Sequence, residues 1–179
     1  MAEKRKSSRA MKIVAGVLSM LAFVCAGVWI YGMTQDETHT ASGSIVINAK
    51  VADVFARQAD VEGQPAWRSG LMAVHGYKTG DDGKAEWQEE WADGDTLNFR
   101  TLELEKDRRI KVKLDHPRGV FYGTWTFEFE PAEGGTRVTI TEEGGIPNAL
   151  IRGVHTLTAS PGETLKKHLA ELKAACEVK

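Results

Sequence analysis

Cysteine is scarce in this sequence, with only Cys25 and Cys176 among 179 residues. Because Cys25 lies in an apolar N-terminal segment, the rest of the chain holds one cysteine and has no partner for an internal disulfide. No Cys-x-x-Cys pair or zinc-ligand spacing occurs, and the five histidines are scattered along the chain. We therefore expect neither a disulfide framework nor a metal site.

The motifs that carry common enzyme chemistry are also missing. The chain has no G-x-S-x-G elbow, no HExxH, no P-loop and no dinucleotide-binding fingerprint. The glycines in "GDDGK" and "GGTRVT" suit turns between strands rather than phosphate binding. No cofactor is expected, and catalysis would require acid and base side chains that the fold brings together.

A net positive charge is found at the N-terminal end of the chain. Residues 1–12 carry a net charge of +4, so the remainder carries −6 within a total of −2. Because binding to a nucleic-acid backbone needs a basic surface, this acidic body argues against nucleic acid as a partner.

A long uncharged run follows the basic end, over the 21 residues from Ile13 to Met33. A helix of this length spans roughly 30 Å, the thickness of a bilayer's hydrocarbon core. Trp29 and Tyr31 stand near its far end, where aromatic side chains favour the membrane interface. The flanking basic residues are Lys4, Arg5, Lys6, Arg9 and Lys12. The positive-inside rule therefore predicts a cytoplasmic tail (1–12), a single transmembrane helix (13–33) in the cell membrane, and an extracytoplasmic body.

A cleaved signal peptide is the alternative for this segment. The small-residue sequence "VCA" before Gly27 resembles a cleavage site. Cleavage there would leave the apolar terminus "GVWIYGM", which favours an uncleaved anchor.

The remainder of the chain predicts a polar tether (34–40) and one folded domain (41–179). A first strand, "SGSIVINAK", precedes the short helix "VADVFARQAD" and a turn or second short helix around Pro65 and Trp67. Six further strands with turns between them predict an antiparallel meander, giving seven strands in all. The alternation slips near Arg100 and Thr101, where we expect a β-bulge.

The C-terminal region predicts helices. Leu150, Val154 and Leu157 have helical spacing, and Ser160 and Pro161 are typical of the start of a further helix. That last helix carries one apolar stripe, formed by Leu165, Leu169, Leu172 and Cys176. Because the sheet has one apolar face that needs a cover, we expect the stripe to pack on it.

This order of elements resembles the START-like superfamily, also called SRPBCC, and in particular its polyketide cyclase/dehydrase-like branch. The matching stretches are "IVINAKVADVFARQAD", "PAWRSGL", "GTWTFEFEPAEGGTRVTITEEGGIPN" and the C-terminal helix, over about residues 40–177. The resemblance implies an α+β helix-grip fold, in which a curved seven-stranded antiparallel sheet wraps a long C-terminal helix. It also implies a cavity for a lipid, polyketide or other apolar molecule.

Three function classes follow from the resemblance. The first is a membrane-anchored module that binds or transfers an apolar small molecule without chemistry. The second is a polyketide cyclase/dehydrase-like enzyme that uses acid residues in its cavity. The third is an interaction domain whose cavity is vestigial. The absence of a catalytic motif favours the first, and the oligomeric state is left open.

The stretch "WQEEW" supplies the central candidates for a ligand-binding cavity. In a strand, Trp87, Glu89 and Trp91 share one face, so the carboxylate stands between two indoles near the cavity mouth. A few placed polar groups in an apolar pocket fix a ligand's orientation. On this interpretation Glu89→Gln would change stability by no more than about 1 kcal/mol. The alternative is that Glu89 and Glu142 lie at the open end of the sheet, where they point to water or pair with a lysine or arginine. The full set of candidates is Trp67, Trp87, Glu89, Trp91, Phe99, Trp125, Phe127 and Glu142.

Overall fold

The computed structural model describes residues 2–159 and 162–177, with side chains from residue 11 onward. Seven strands are present in this part of the chain: β1 (Thr38–Ile47), β2 (Leu71–Thr79), β3 (Ala85–Trp91), β4 (Thr96–Glu105), β5 (Arg109–Asp115), β6 (Tyr122–Ala132) and β7 (Gly135–Gly145). The helices are α1 (Ala2–Met33), α2 (Val51–Ala59), α3 (Ala149–Thr158) and α4 (Glu163–Glu177), with a 3₁₀ turn over Gln64–Ala66.

The chain divides into two compact units. The first contains α1 and α3, and the second contains the sheet, α2, the 3₁₀ turn and α4. Helix α3 thus packs with α1, although the sequence places its residues in the predicted domain 41–179. Strand β1 begins at Thr38, inside the predicted tether 34–40, and α1 begins before the predicted span 13–33.

The second unit is built on one antiparallel sheet with the order β1-β7-β6-β5-β4-β3-β2. Strands β2 to β7 form the predicted meander, and β1 pairs with β7. The register between β4 and β5 shifts between Thr101 and Glu103, which confirms the predicted bulge within one residue. The α+β helix-grip class expected from the sequence is confirmed.

Strand alternation explains the core. Ile110, Val112 and Leu114 on β5 are buried, whereas the intervening Lys111 and Lys113 are not. Successive strand residues point to opposite faces, so each strand contributes one apolar row to the same side of the sheet. Helices α2 and α4 pack on that side.

Helix α4 presents the predicted stripe to the sheet. Leu165 and Leu172 are fully buried, Leu169 is nearly so, and Cys176 is partly buried against the same core. The predicted start of this helix at Ser160 and Pro161 lies outside the described residues.

The first unit joins α3 to the C-terminal part of α1. Asn148 caps α3, since its side-chain oxygen accepts hydrogen bonds from the backbone N–H groups of Leu150 and Ile151 at 2.9 and 3.2 Å. Within α1, the segment Met11–Met33 is long and apolar enough to cross a membrane, a property that a signal sequence shares.

Candidate functional site

A buried ion pair lies on the core side of the sheet. Glu89 on β3 is 1% exposed, and its Oε1 accepts a hydrogen bond from Arg68 Nη1 at 2.7 Å. Arg68, which follows the 3₁₀ turn, is itself only 8% exposed. Glu89 thus lies deeper than the rim position expected for it. A buried charge needs an opposite charge and further hydrogen bonds to offset its lost hydration, and Arg68 supplies the first of these.

The two tryptophans of "WQEEW" complete the surroundings of this pair. The Trp87 indole Nε1 donates to Glu89 Oε1 over 3.3 Å, because residues two apart on a strand share a face. The Arg68 guanidinium carbon lies 5.0 Å from the centre of the Trp91 ring, a cation–π distance. These contacts account for a carboxylate between two indoles. Trp87 donates a hydrogen bond to Glu89, and Trp91 lies against Arg68, the cationic partner of Glu89.

Hydrogen bonds extend the pair across the core to α4. Arg68 Nη1 also donates to Gln64 Oε1, and Gln64 Nε2 donates to the backbone oxygen of Gln58 at 2.9 Å. The Gln58 side-chain oxygen lies 2.8 Å from His168 Nε2. We call Gln58, Gln64, Arg68, Glu89 and His168 the polar cluster.

His168 of the polar cluster is enclosed by aromatic rings. The ring centres of Trp67, Trp125 and Phe127 lie 5.5, 5.6 and 5.4 Å from that of its imidazole. Burial holds the pKa of His168 well below its ordinary value of 6.5, and the nearby Arg68 charge lowers that pKa further. The imidazole is therefore neutral at neutral pH. Its Nε2 faces the side-chain oxygen of Gln58, which can only accept, so Nε2 is the donor of this hydrogen bond.

We expect His168 to make stability fall in mild acid. Its folded-state pKa is depressed, so the unfolded chain binds the proton more readily once the pH drops below about 6.5. The contribution of His168 to the free energy of unfolding is therefore fully present above about pH 6.5. Below that pH it declines by at most about 1.4 kcal/mol per pH unit. Urea unfolding of the full chain between pH 7.5 and pH 5 measures the slope, and His168→Gln should flatten it. Parallel slopes for wild type and His168→Gln would contradict the assignment.

Four buried polar atoms around the polar cluster lack a hydrogen-bond partner among the described residues. They are Oε2 of Glu89 and the indole nitrogens of Trp67, Trp91 and Trp125. Buried polar groups are nearly always hydrogen-bonded, and each of these four atoms belongs to a residue of the polar cluster or to a ring that contacts one, so the surroundings of the cluster are the candidate place for a further polar group. Two of the three indoles, Trp67 and Trp125, also contact the His168 ring.

The other sequence-predicted site residues fall into two groups. Phe99 on β4 stacks on Trp87, with ring centres 5.3 Å apart and planes 7° from parallel, and Phe127 lies beside Trp125. Seven of the eight candidates, all except Glu142, thus belong to the polar cluster, contact it directly or pack against an aromatic ring that does. Glu142 lies on β7 near the start of β1, where its carboxylate is 3.8 Å from His39.

The sequence interpretation missed four members of the polar cluster: Gln58, Gln64, Arg68 and His168. A signal was present for His168, because it shares a helix face with Leu165, Leu169 and Leu172. A histidine within an apolar stripe indicates a buried imidazole. No comparable local signal identifies Arg68, which follows the "PAW" turn and has its partner 21 residues further on.

An open cleft of about 480 Å³ runs along β2 to β5, and Trp87 and Phe99 are among the residues that line it. Its polar side chains pair with one another across strands, as in Lys78 with Glu86 at 3.3 Å and Gln88 with Asn98 at 3.1 Å. Such pairs are typical of a solvated sheet face, so we do not assign a ligand to this cleft.

The fold and the polar cluster together define an α+β domain with a helix-covered sheet and a polar site in its core. Residues 38–177 match the family model described as polyketide cyclase/dehydrase and lipid transport. Because this match covers more than half of the chain, the chain belongs to that family. A search of the curated proteins found no match.

Solved structures share the fold at low identity. The Zhui aromatase/cyclase from a Streptomyces species has a TM-score of 0.64 at 12% identity, covering 78% of this chain and 94% of that one. A START superfamily protein from Mycobacterium smegmatis has a TM-score of 0.60 at 17% identity, with coverages of 78% and 97%. The di-domain aromatase/cyclase StfQ of the steffimycin pathway has a TM-score of 0.63 at 12% identity, and the match covers 78% of this chain but only 51% of StfQ. At these identities the likeness establishes the fold alone.

Proposed function

We propose that this protein binds an apolar small molecule, such as a lipid or polyketide, and holds its polar head at the polar cluster. The observation that carries the proposal is a set of four buried atoms, on Glu89, Trp67, Trp91 and Trp125, that have no hydrogen-bond partner in the part of the chain that the structure describes. Each such atom costs about 1–3 kcal/mol when left unpaired, so a guest that pairs with them gains that energy on binding.

The chemistry of the open atoms defines the kind of head group. The Glu89 oxygen requires a donor, and the indole N–H groups require an acceptor. A head that carries both, such as a hydroxyl, an amide or a carbonyl beside a hydroxyl, satisfies both requirements. The rings of Trp87, Trp125 and Phe127 supply apolar contact for the rest of the molecule.

We also propose that α1 anchors the protein in the cell membrane, with the sheet-containing unit outside the cytoplasm. The length and composition of Met11–Met33 support the anchor, and the basic residues before it support this orientation. A tethered binding module could exchange an apolar ligand with the bilayer that holds it.

A cyclase- or dehydrase-like enzyme is the second candidate function. The neutral His168 imidazole supports it, because a base with a lowered pKa stays unprotonated at neutral pH. On this alternative His168→Gln abolishes turnover of a polyketide substrate while binding persists. On the binding proposal no substrate is turned over by either form.

The binding proposal predicts a selective effect of Trp125→Phe. This change keeps the aromatic ring and removes an indole N–H that has no partner among the described residues. Removing the unpaired N–H should stabilise the free protein by about 1–3 kcal/mol, and the smaller ring should cost a similar amount in the core, so the net change in stability should be small. Affinity for decanamide, whose head donates and accepts hydrogen bonds, should fall about five- to tenfold, since one net hydrogen bond is lost. Native mass spectrometry of the detergent-solubilised full chain measures the bound fraction.

Two controls accompany that measurement. Decane, which has no polar head, should bind wild type and Trp125→Phe equally. Trp29→Phe on α1 should leave decanamide binding unchanged, because that indole lies outside the sheet-containing unit. Unchanged decanamide binding by Trp125→Phe would remove this indole from the site, and equal affinities for decane and decanamide would contradict a polar-head site.

A further inference from the structure

Helix α3 packs on α1 through glycines at very close range. A Cβ placed on Gly153 would lie within 2.4 Å of the Val28 backbone oxygen, and one on Gly32 would lie within 2.8 Å of the Gly153 nitrogen. Only glycine fits at either position, as at small-residue contacts between membrane helices. The Arg152 side chain adds a hydrogen bond from Nε to the Gly32 oxygen at 2.9 Å.

These contacts fix the direction in which α3 runs. Gly32 meets Ala149 and Gly153, and Gly153 also meets Val28. Later residues of α3 therefore contact earlier residues of α1. The two helices are therefore antiparallel, and α3 runs back along the segment that forms the proposed membrane anchor. At 1.5 Å per residue, Val28 lies about 8 Å inside the end of that segment at Met33.

The side chains of α3 divide into distinct faces at the helical repeat of 3.6 residues per turn. Ala149 and Gly153 form the face against α1. A second face holds four apolar side chains that are 36–62% exposed: Leu150, Ile151, Val154 and Leu157. Arg152 and His155 lie on a third side. Because α3 runs antiparallel to α1, its exposed aliphatic side lies alongside the segment proposed as the anchor.

We propose that α3 is a second membrane contact, whose apolar face is inserted among the lipid acyl chains of the leaflet through which α1 leaves the bilayer. Gly153 meets Val28 about 8 Å inside the segment's end, so the C-terminal half of α3 lies beside the part of α1 that is proposed to contact acyl chains. The contact with α1 holds α3 beside this segment, and lipid is the occupant because the exposed side chains of that α1 segment are also apolar. This inference rests on the proposed anchoring role of α1.

Lipid-borne quenchers test the inference on the full chain. Cys25 and Cys176 are replaced by serine, and single cysteines are introduced by Val154→Cys, Phe23→Cys or Met72→Cys for labelling with an NBD fluorophore. The proteins are reconstituted into phosphatidylcholine vesicles that carry doxyl-labelled acyl chains. Phe23 is 82% exposed on α1 and reports the anchor, whereas Met72 is 62% exposed on β2 and reports water. The label at 154 should be quenched like that at 23, and about threefold or more above that at 72.

Each outcome separates the inference from the anchor on which it rests. Quenching at 23 but not at 154 overturns the lipid contact of α3 and leaves the anchor standing. Absence of quenching at both positions overturns the anchor and the inference together. Blue-shifted but unquenched emission at 154 places α3 against protein, either in the same chain or in a second copy, and also overturns the inference.

A second variant tests the glycine contact itself. Gly153→Leu places a side chain against the Val28 backbone and should lift α3 from α1, so that quenching at 154 falls to the level seen at 72 while quenching at 23 persists. Gly27→Leu is the matched control, because a Cβ at Gly27 meets no atom of the described residues within 4 Å. Unchanged quenching at 154 in Gly153→Leu would show that the contact with α1 does not hold α3 in the leaflet.

Discussion

Arg68→Met is expected to lower the free energy of unfolding by about 3–5 kcal/mol. The substitution keeps most of the side-chain volume but leaves Glu89, 1% exposed, without the guanidinium that lies 2.7 Å from its carboxylate. An ionised carboxylate that is buried without a partner loses its hydration and regains little. Urea unfolding of the full chain in detergent, followed by tryptophan fluorescence, measures the loss.

Two further variants isolate the pair. Glu86→Gln lies on the same strand but breaks an exposed pair with Lys78, so it should cost less than about 1 kcal/mol. The double variant Arg68→Met, Glu89→Leu removes both charges and should recover much of the loss. A cost below about 1 kcal/mol for Arg68→Met would show that water reaches Glu89 and replaces Arg68.

The ion pair also revises the expectation for Glu89→Gln. From the sequence alone, this change should alter stability by no more than about 1 kcal/mol. In the structure a neutral amide would leave the Arg68 charge buried and uncompensated, so the cost should approach that of Arg68→Met. The fold and the proposed site therefore depend on the same carboxylate.

Leu169→Ala is expected to cost about 2–5 kcal/mol of stability. Leu169 is 3% exposed, in the middle of the stripe by which α4 packs on the sheet, and truncation leaves a cavity that neighbouring side chains fill only in part. Leu104→Ala is the matched control, since this leucine on β4 is 56% exposed and its truncation should cost less than about 0.5 kcal/mol. The same urea measurement compares the two variants.

A loss under about 0.5 kcal/mol for Leu169→Ala would mean that this face of α4 is not packed against the sheet in solution. Such a result would also weaken the site assignment, because His168 is the adjacent residue on the helix. Its hydrogen bond to Gln58 requires α4 to lie where the structure places it.

The polar cluster is a costly way to fill a core. Buried ion pairs are often no more stabilising than apolar residues of similar volume, because desolvation offsets most of the attraction. The cluster also leaves Glu89 Oε2 and three indole N–H groups unpartnered among the described residues. An apolar core would avoid both penalties, which is the physical argument for a ligand-related role.

The sequence by itself determined the elements and the faces they present. Alternation along β5 identified Ile110, Val112 and Leu114 as core residues, and the broken phase after Arg100 located the bulge. The spacing of Leu165, Leu169 and Leu172 identified the covering face of α4. These features are local, because the periods of strand and helix translate directly into which side chains share a surface. The family resemblance then supplied the order in which the surfaces assemble.

Only the tertiary structure decided which residues meet. The partners Arg68 and Glu89 are 21 residues apart, Gln58 and His168 are 110 apart, and Gly32 and Arg152 are 120 apart. The periodicity of a sequence predicts which side chains face the core. It does not predict which other groups those side chains contact. Ion pairing, hydrogen bonding and close helix contact depend on distances of a few ångströms, and these are set only when strands, turns and helices pack together.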